Sequence, residues 1–156
     1  MKKILVLVPI AAVIILVLPT VLFYGNQIMV ITTTSMLPVL QPNDLIVVRS
    51  ASVSEVTVGD IIVFDSHLEL GNIAHRAIEI KQDDRGIGII TKGDNVAKQD
   101  GWTVRDDSMV GIVDQTIPYV GVLLVGPVRY SLIAVIAITS IMLLKESLSE
   151  NKIKQN

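Results

Sequence analysis

Ile73-Ala74-His75-Arg76-Ala77-Ile78-Glu79-Ile80-Lys81-Gln82-Asp83-Asp84-Arg85-Gly86-Ile87-Gly88-Ile89-Ile90-Thr91 is the stretch that decides the fold. Two apolar, β-branched runs, 73–80 and 87–91, flank the turn formers Asp83-Asp84-Arg85-Gly86. That arrangement predicts a hairpin whose strands are antiparallel neighbours. Upstream, residues 45–48 and 61–64 are also apolar and rich in Val and Ile. Gln41-Pro42-Asn43-Asp44, Gly59-Asp60, Gly93-Asp94-Asn95 and Asp100-Gly101 supply the punctuation between runs. Nothing in this region has sustained helical periodicity. The expected fold class is therefore mainly β, a small antiparallel β-sheet or barrel-like domain over residues 24–116.

The flanks have a different character. Residues 4–23 carry no charged side chain, and at about 1.5 Å per helical residue they span roughly 30 Å, the thickness of a bilayer's hydrocarbon core. The run exceeds the roughly 7–15 apolar residues of a secretory signal, and no small-x-small site follows it, so an uncleaved transmembrane helix is expected. A second apolar stretch, 117–144, is broken by Gly121, Gly126, Pro127 and Arg129. It divides into a membrane-associated loop or strand, 117–126, and a second transmembrane helix, 127–144, opened by Pro127 at a favourable first-turn position. Lys2 and Lys3 precede the first span, and Lys145, Lys152 and Lys154 follow the second. Both ends, 1–3 and 145–156, are thus expected in the cytoplasm and the β domain outside. The expected location is the cell membrane, or the endoplasmic-reticulum membrane in a eukaryote, with two spans and membrane lipid as a partner.

The 156-residue chain has a formal net charge of −2 and no basic run, which argues against nucleic acid as a partner. It has no cysteine, so neither disulfides nor thiolate catalysis is available. Its two histidines, His67 and His75, match no zinc spacing, and no metal or cofactor is expected. A hydrolase with these means needs an activated hydroxyl, a base, and a group that holds the base. Taken singly, Ser35 reads as a turn residue, His75 as a hydrogen-bonded core residue, and Asp94 and Asp100 as turn formers. His67, among Asp65, Ser66, Glu69, Gly71 and Asn72, is a rival base in a solvated loop.

Order changes this reading. From the first apolar run onward come Thr33-Thr34-Ser35-Met36-Leu37-Pro38, Pro42-Asn43-Asp44, Val58-Gly59-Asp60-Ile61-Ile62-Val63-Phe64, Ala74-His75-Arg76-Ala77-Ile78-Glu79, Thr91-Lys92-Gly93-Asp94-Asn95, and Val110-Gly111 leading to Ile117-Pro118-Tyr119-Val120-Gly121. This succession resembles the type I signal peptidases, in particular their archaeal and endoplasmic-reticulum branch, over nearly the whole chain. Bacterial-type relatives place a lysine base where this chain has His75-Arg76. The resemblance implies Ser35 as nucleophile, His75 as base, Asp100 as the carboxylate orienting the imidazole, and Asp94 as a brace for its loop. It implies that the Thr33 hydroxyl and the Ser35 N–H form the oxyanion hole, and that Met36 with the strand Ile61, Ile62, Val63 and Phe64 lines the substrate cleft. Many family members carry glycine before the nucleophile, where this chain has Thr34, and an acidic or polar residue where it has Leu37.

The implied activity is a membrane-bound serine endopeptidase that removes signal peptides from exported pre-proteins, with those peptides and the protein export machinery as partners. An extended substrate is expected to pair with the strand 61–64 by β-augmentation. The alternative is a membrane-tethered, non-catalytic β domain acting as a binding or assembly module, its serine and histidine structural.

Overall fold

The computed structural model describes residues 2–66 and 71–155, so the rival base His67 lies outside the described residues. The chain divides into two compact units, Phe23–Gly121 and a helical unit made of Met1–Leu22 with Val122–Asn156.

The first unit is a six-stranded sheet, antiparallel in every pairing. Its strands are β1 (Gln27–Val30), β2 (Leu45–Arg49), β3 (Ile61–Asp65), β4 (Asn72–Asp83), β5 (Gly86–Lys92) and β6 (Met109–Ile117). They lie in the order β1-β2-β6-β3-β4-β5, which leaves β1 and β5 as edges rather than closing the sheet into a barrel. The expected hairpin forms: Asp83 pairs with Gly86 across the two-residue connection Asp84-Arg85. Gly86 has φ 97°, the left-handed geometry that glycine adopts without a Cβ penalty.

The uninterrupted apolar run of β3 has a physical cause, because both of its faces are covered. Ile62 and Phe64 join Val53, Val56, Ala77, Ile89 and Val104 in one cluster. Val63 joins Ile31, Met36, Leu40, Ile46 and Val48 in the other. A strand buried on both faces does not alternate apolar and polar residues.

Two strands, β1 and β6, are not among the runs read from sequence. β6 is central, between β2 and β3, yet Gly111 and Asp114-Gln115-Thr116 interrupt its apolar character. Gly111 belongs there because a Cβ at that position would collide with the Arg49 carbonyl of the neighbouring strand. The segment expected to lie against the membrane, 117–126, is also divided differently. Residues 117–121 belong to the sheet unit, where the Tyr119 N–H donates to Asp44 Oδ1 at 3.1 Å and the Gly121 N–H to the Asn43 carbonyl at 2.9 Å.

In the helical unit, α1 covers Lys2–Leu22 and α2 covers Gly126–Gln155. Among the described residues, one helix is long and apolar enough to cross a membrane, the Gly126–Glu146 part of α2. The second helix was expected to end at Leu144, but α2 runs on to Gln155. Residues 145–155 hold Lys, Glu, Leu, Ser, Ile, Asn and Gln and no Gly or Pro, so nothing in the polar tail stops the helix where the apolar part ends.

Phe64 is 1% exposed and stands edge-on to Trp102, ring centroids 6.3 Å apart. Phe64→Ala should cost about 3–5 kcal/mol of stability, read as a shift of the denaturation midpoint of the full chain in detergent by fluorescence of the single tryptophan.

Candidate active site

Ser35 lies in the connection from β1 to β2. Beyond β1 the chain stays bonded to the start of β2, with the Ile31 N–H donating to the Asp44 carbonyl at 2.9 Å and the Asn43 N–H to the Ile31 carbonyl at 2.8 Å. It then coils into a tight turn in which the Leu37 N–H donates to the Thr34 carbonyl at 3.2 Å, and the Val39 and Leu40 N–H groups to the Met36 carbonyl at 3.0 Å. Met36 and Leu40, both buried, fasten this turn into the second apolar cluster. Ser35, just ahead of the first anchor, remains partly accessible. Thr34 is not among the residues with positive φ, so a β-branched residue is accommodated where many relatives carry glycine.

His75 comes from β4, opposite Ile62 of β3, with its ring edge-on to Phe64 at a centroid distance of 6.4 Å. Its Nε2 is 3.1 Å from Ser35 Oγ and its Nδ1 2.7 Å from Asp100 Oδ2. Asp100 Oδ2 also accepts the Thr91 hydroxyl at 2.5 Å, and the Asp100 N–H donates to the Thr91 carbonyl at 2.9 Å. The His75 and Asp100 side chains are only 10% and 9% exposed, so little solvent competes for their hydrogen bond. A carboxylate can only accept at Nδ1, which places the proton of the neutral ring there and leaves the Nε2 lone pair facing the Ser35 hydroxyl. Thr33 Oγ1 lies 3.3 Å from Ser35 Oγ. Ser35, His75, Asp100 and Thr33 thus lie together at one place in the fold.

Asp94 stands apart from this chain of hydrogen bonds. Both its oxygens accept from Arg76, Oδ1 from Nε at 2.8 Å and Oδ2 from Nη2 at 2.6 Å, and Arg76 Nη1 also donates to the Gly59 carbonyl at 2.7 Å. The Arg76 guanidinium holds the Asp94 carboxyl below the usual carboxylate range, and the carboxylate in turn raises Arg76. The turn that Asp94 braces packs directly on Ser35. A Cβ at Gly93 would lie 2.7 Å from the Ser35 carbonyl oxygen and 3.0 Å from His75 Nε2, so this close approach is open only to glycine. Asn95 follows, its N–H donating to the Ser35 carbonyl at 2.8 Å and its Nδ2 to the Thr34 carbonyl at 3.1 Å.

Sequence reasoning did not single out Thr91, Arg76 or Asn95 as individual residues. Arg76 carried a usable signal, since an arginine beside an apolar run needs a carboxylate partner if it is to be partly buried. Thr91, at the end of an apolar strand, carried none.

A groove of ≈ 370 Å³ opens beside Ser35 and His75, lined by residues 29–33, 72–75, Met36, Ile46 and Val63. Of the expected substrate contacts, Met36 and Val63 line it, while Ile61, Ile62 and Phe64 do not. The expected β-augmentation on residues 61–64 does not fit the sheet either. β3 is hydrogen-bonded to β4 on one side and to β6 on the other, so it has no free edge to offer. The groove is bordered by two edges that, among the described strands, are unpaired. One is β1 on the side away from β2; the other is the start of β4, residues 72–75, where pairing with β5 begins only at Arg76.

A family comparison gives the class of protein to which this arrangement belongs. The family described as "Signal peptidase, peptidase S26" matches residues 1–101, a span that includes Ser35, His75, Asp94 and Asp100. The chain belongs to this family of type I signal peptidases, and membership carries a serine-peptidase activity of the signal-peptidase kind and an association with membranes. Comparison with curated proteins returned no match.

The Arg76–Asp94 pair makes stability depend on pH in a defined direction. Its side chains are 29% and 19% exposed, so the bidentate bond should be worth roughly 1–2 kcal/mol. Because the folded Asp94 is lowered relative to the unfolded chain, this stability is fully present above the ordinary aspartate pKa of about 3.9 and is lost as pH falls through the folded value. Asp94→Asn should therefore be less stable than the wild type at neutral pH. Denaturation midpoints measured downward from pH 7 should converge below about pH 4.

Proposed function

We propose that the chain is a membrane-bound signal peptidase of the Ser-His-Asp branch, removing signal peptides from exported pre-proteins at the outer membrane surface. The observation that carries this reading is the continuous hydrogen-bonded line from Ser35 Oγ through the His75 ring to Asp100. An imidazole occupies the place where the bacterial type uses a lysine.

In the proposed reaction, Ser35 Oγ attacks the scissile carbonyl as His75 Nε2 takes its proton. His75 then gives that proton to the departing amine, and water, activated by the same nitrogen, releases the acyl group. Asp100 holds the ring in the tautomer that can accept and stabilises the imidazolium that forms. The Ser35 N–H and the Thr33 hydroxyl stabilise the oxyanion, a contribution of about 3 kcal/mol per donor in comparable sites. The substrate enters extended, bonding with the free backbone edges of β1 and residues 72–75 instead of with β3. Helices α1 and α2 serve as the anchors, with both chain ends in the cytoplasm. Confinement of the enzyme and of a translocating precursor to one lipid layer raises the rate of encounter.

Purified full-length protein in lipid should release mature product from a secretory precursor. Ser35→Ala and His75→Ala should each lower kcat by about 10³-fold or more. The attack requires the neutral imidazole, because an imidazolium cannot accept from Ser35. Equal processing by wild type and Ser35→Ala would leave the binding-module reading in its place. A rate that keeps rising through about pH 9–10, the region where lysines titrate, and that survives His75→Ala would move the base to Lys81, Lys92 or Lys98.

A further inference from the structure

We infer that Asn95 is a positioning residue for the oxyanion hole: its side-chain amide fixes the Thr34–Ser35 peptide plane and thereby aims the Ser35 N–H. The inference rests on the catalytic reading of Ser35 and adds to it a residue that need not touch substrate.

A trans peptide unit is planar, with its C=O and N–H pointing in opposite directions. Fixing the Thr34 carbonyl therefore fixes the Ser35 N–H. The Thr34 oxygen is held twice, by the Leu37 N–H at 3.2 Å within the turn and by Asn95 Nδ2 at 3.1 Å from a segment sixty-one residues away. The Leu37 bond belongs to the turn itself and moves with it. The Asn95 bond refers the plane to the rest of the domain, and so to His75. The next peptide is held as well, because the Asn95 backbone N–H donates to the Ser35 carbonyl at 2.8 Å. Asn95 thus grips the carbonyls on both sides of the nucleophile's Cα.

The donor end of the same plane is free. Among the described residues the Ser35 N–H has no acceptor within the protein. It points away from the 93–95 turn, and Ser35 together with Thr33 lines the groove. A donor of this kind acts in the transition state only if it is already oriented when charge develops on the carbonyl oxygen. The 93–95 turn has the rigidity to provide that orientation. The bidentate Arg76–Asp94 bond ties it to β4, one residue from His75, and the Val96 N–H donates back to the Gly93 carbonyl at 3.1 Å. The base and the oxyanion donor are therefore referred to the same strand.

The experiment compares Asn95→Ala and the near-isosteric Asn95→Asp with wild type and Ser35→Ala on one defined precursor, using the full chain in lipid. Rates are expressed per folded molecule, with the folded fraction read from Trp102 fluorescence. Both variants keep the backbone bond to the Ser35 carbonyl, while alanine deletes the side-chain donor and aspartate replaces it with an acceptor facing the Thr34 oxygen. The expected result is a fall in kcat of about tenfold to a hundredfold, less than the roughly 10²–10³ of deleting an oxyanion donor outright. KM should be unchanged, since interactions made only in the transition state act on kcat. The aspartate variant should be no faster than the alanine variant. If kcat per folded molecule stays at the wild-type value, or if the loss lies wholly in KM or in the folded fraction, the inference is overturned while the catalytic reading stands. If instead Ser35→Ala processes as well as wild type, the catalytic reading itself has failed.

Discussion

A hydrogen bond of 3.1 Å between Ser35 Oγ and His75 Nε2 joins a surface turn to a sheet strand forty residues further along the chain, and much of the domain serves to keep that distance. A turn is the mobile partner in such a pair, because its conformation is not enforced by a ladder of strand bonds. Here it is immobilised from below and from the side. Met36 and Leu40 sink into the apolar cluster that also holds Ile46, Val48 and Val63, and the 93–95 turn clasps the carbonyls of Thr34 and Ser35. Burial restrains the turn's depth, whereas the two bonds from Asn95 restrain its rotation, which burial alone leaves free.

Two carboxylates near one site have been given separate partners, and strand geometry explains the division. His75 and Arg76 are successive residues of β4, and successive side chains of a strand leave on opposite faces. Asp100 meets the imidazole, and Asp94 meets the guanidinium. An arginine beside His75 without its own carboxylate would oppose any positive charge on the imidazole. Pairing it with Asp94 removes most of that penalty and converts the charge into a brace for the Gly93–Asn95 turn. The arrangement also explains why aspartate rather than asparagine suits position 94, since only a carboxylate accepts from both prongs of the guanidinium fork.

The sequence was legible where local chemistry dictates structure. The hairpin at 83–86 follows from its turn residues, and the run 61–64 reads as a strand because a run buried on both faces is apolar throughout. β1 and β6 escaped because their place is set by partners distant in sequence. β1 is four residues long and, among the described strands, pairs with β2 alone, and Gly111 in β6 is demanded by the Arg49 backbone across the sheet. The site was legible as a list and not as a geometry. Each of Ser35, His75 and Asp100 is an ordinary residue in its own neighbourhood, and only the order of motifs gave them a common purpose. That order could not disclose that Thr91 supports Asp100, or that the apolar strand at 61–64 spends both of its edges inside the sheet.

The saturation of β3 determines how an extended substrate can meet the proposed catalytic groups. A peptide that bonds to a sheet needs an unpaired edge, and β3 has β4 on one side and β6 on the other. The edges left beside the groove are β1 and residues 72–75. The chain beyond the first of these reaches Ser35 five residues after Val30, and the second ends at His75 itself. A peptide bonded along either edge is therefore indexed to the same backbone that carries Ser35 and His75, without long loops to accumulate positional error. Since backbone bonding is indifferent to side-chain identity, such a site can accept many sequences. Discrimination then falls to the few side chains of the groove wall, Met36 and Val63 among them. For a peptide bound in this way, the strands would set the register and a small apolar wall would select the side chains.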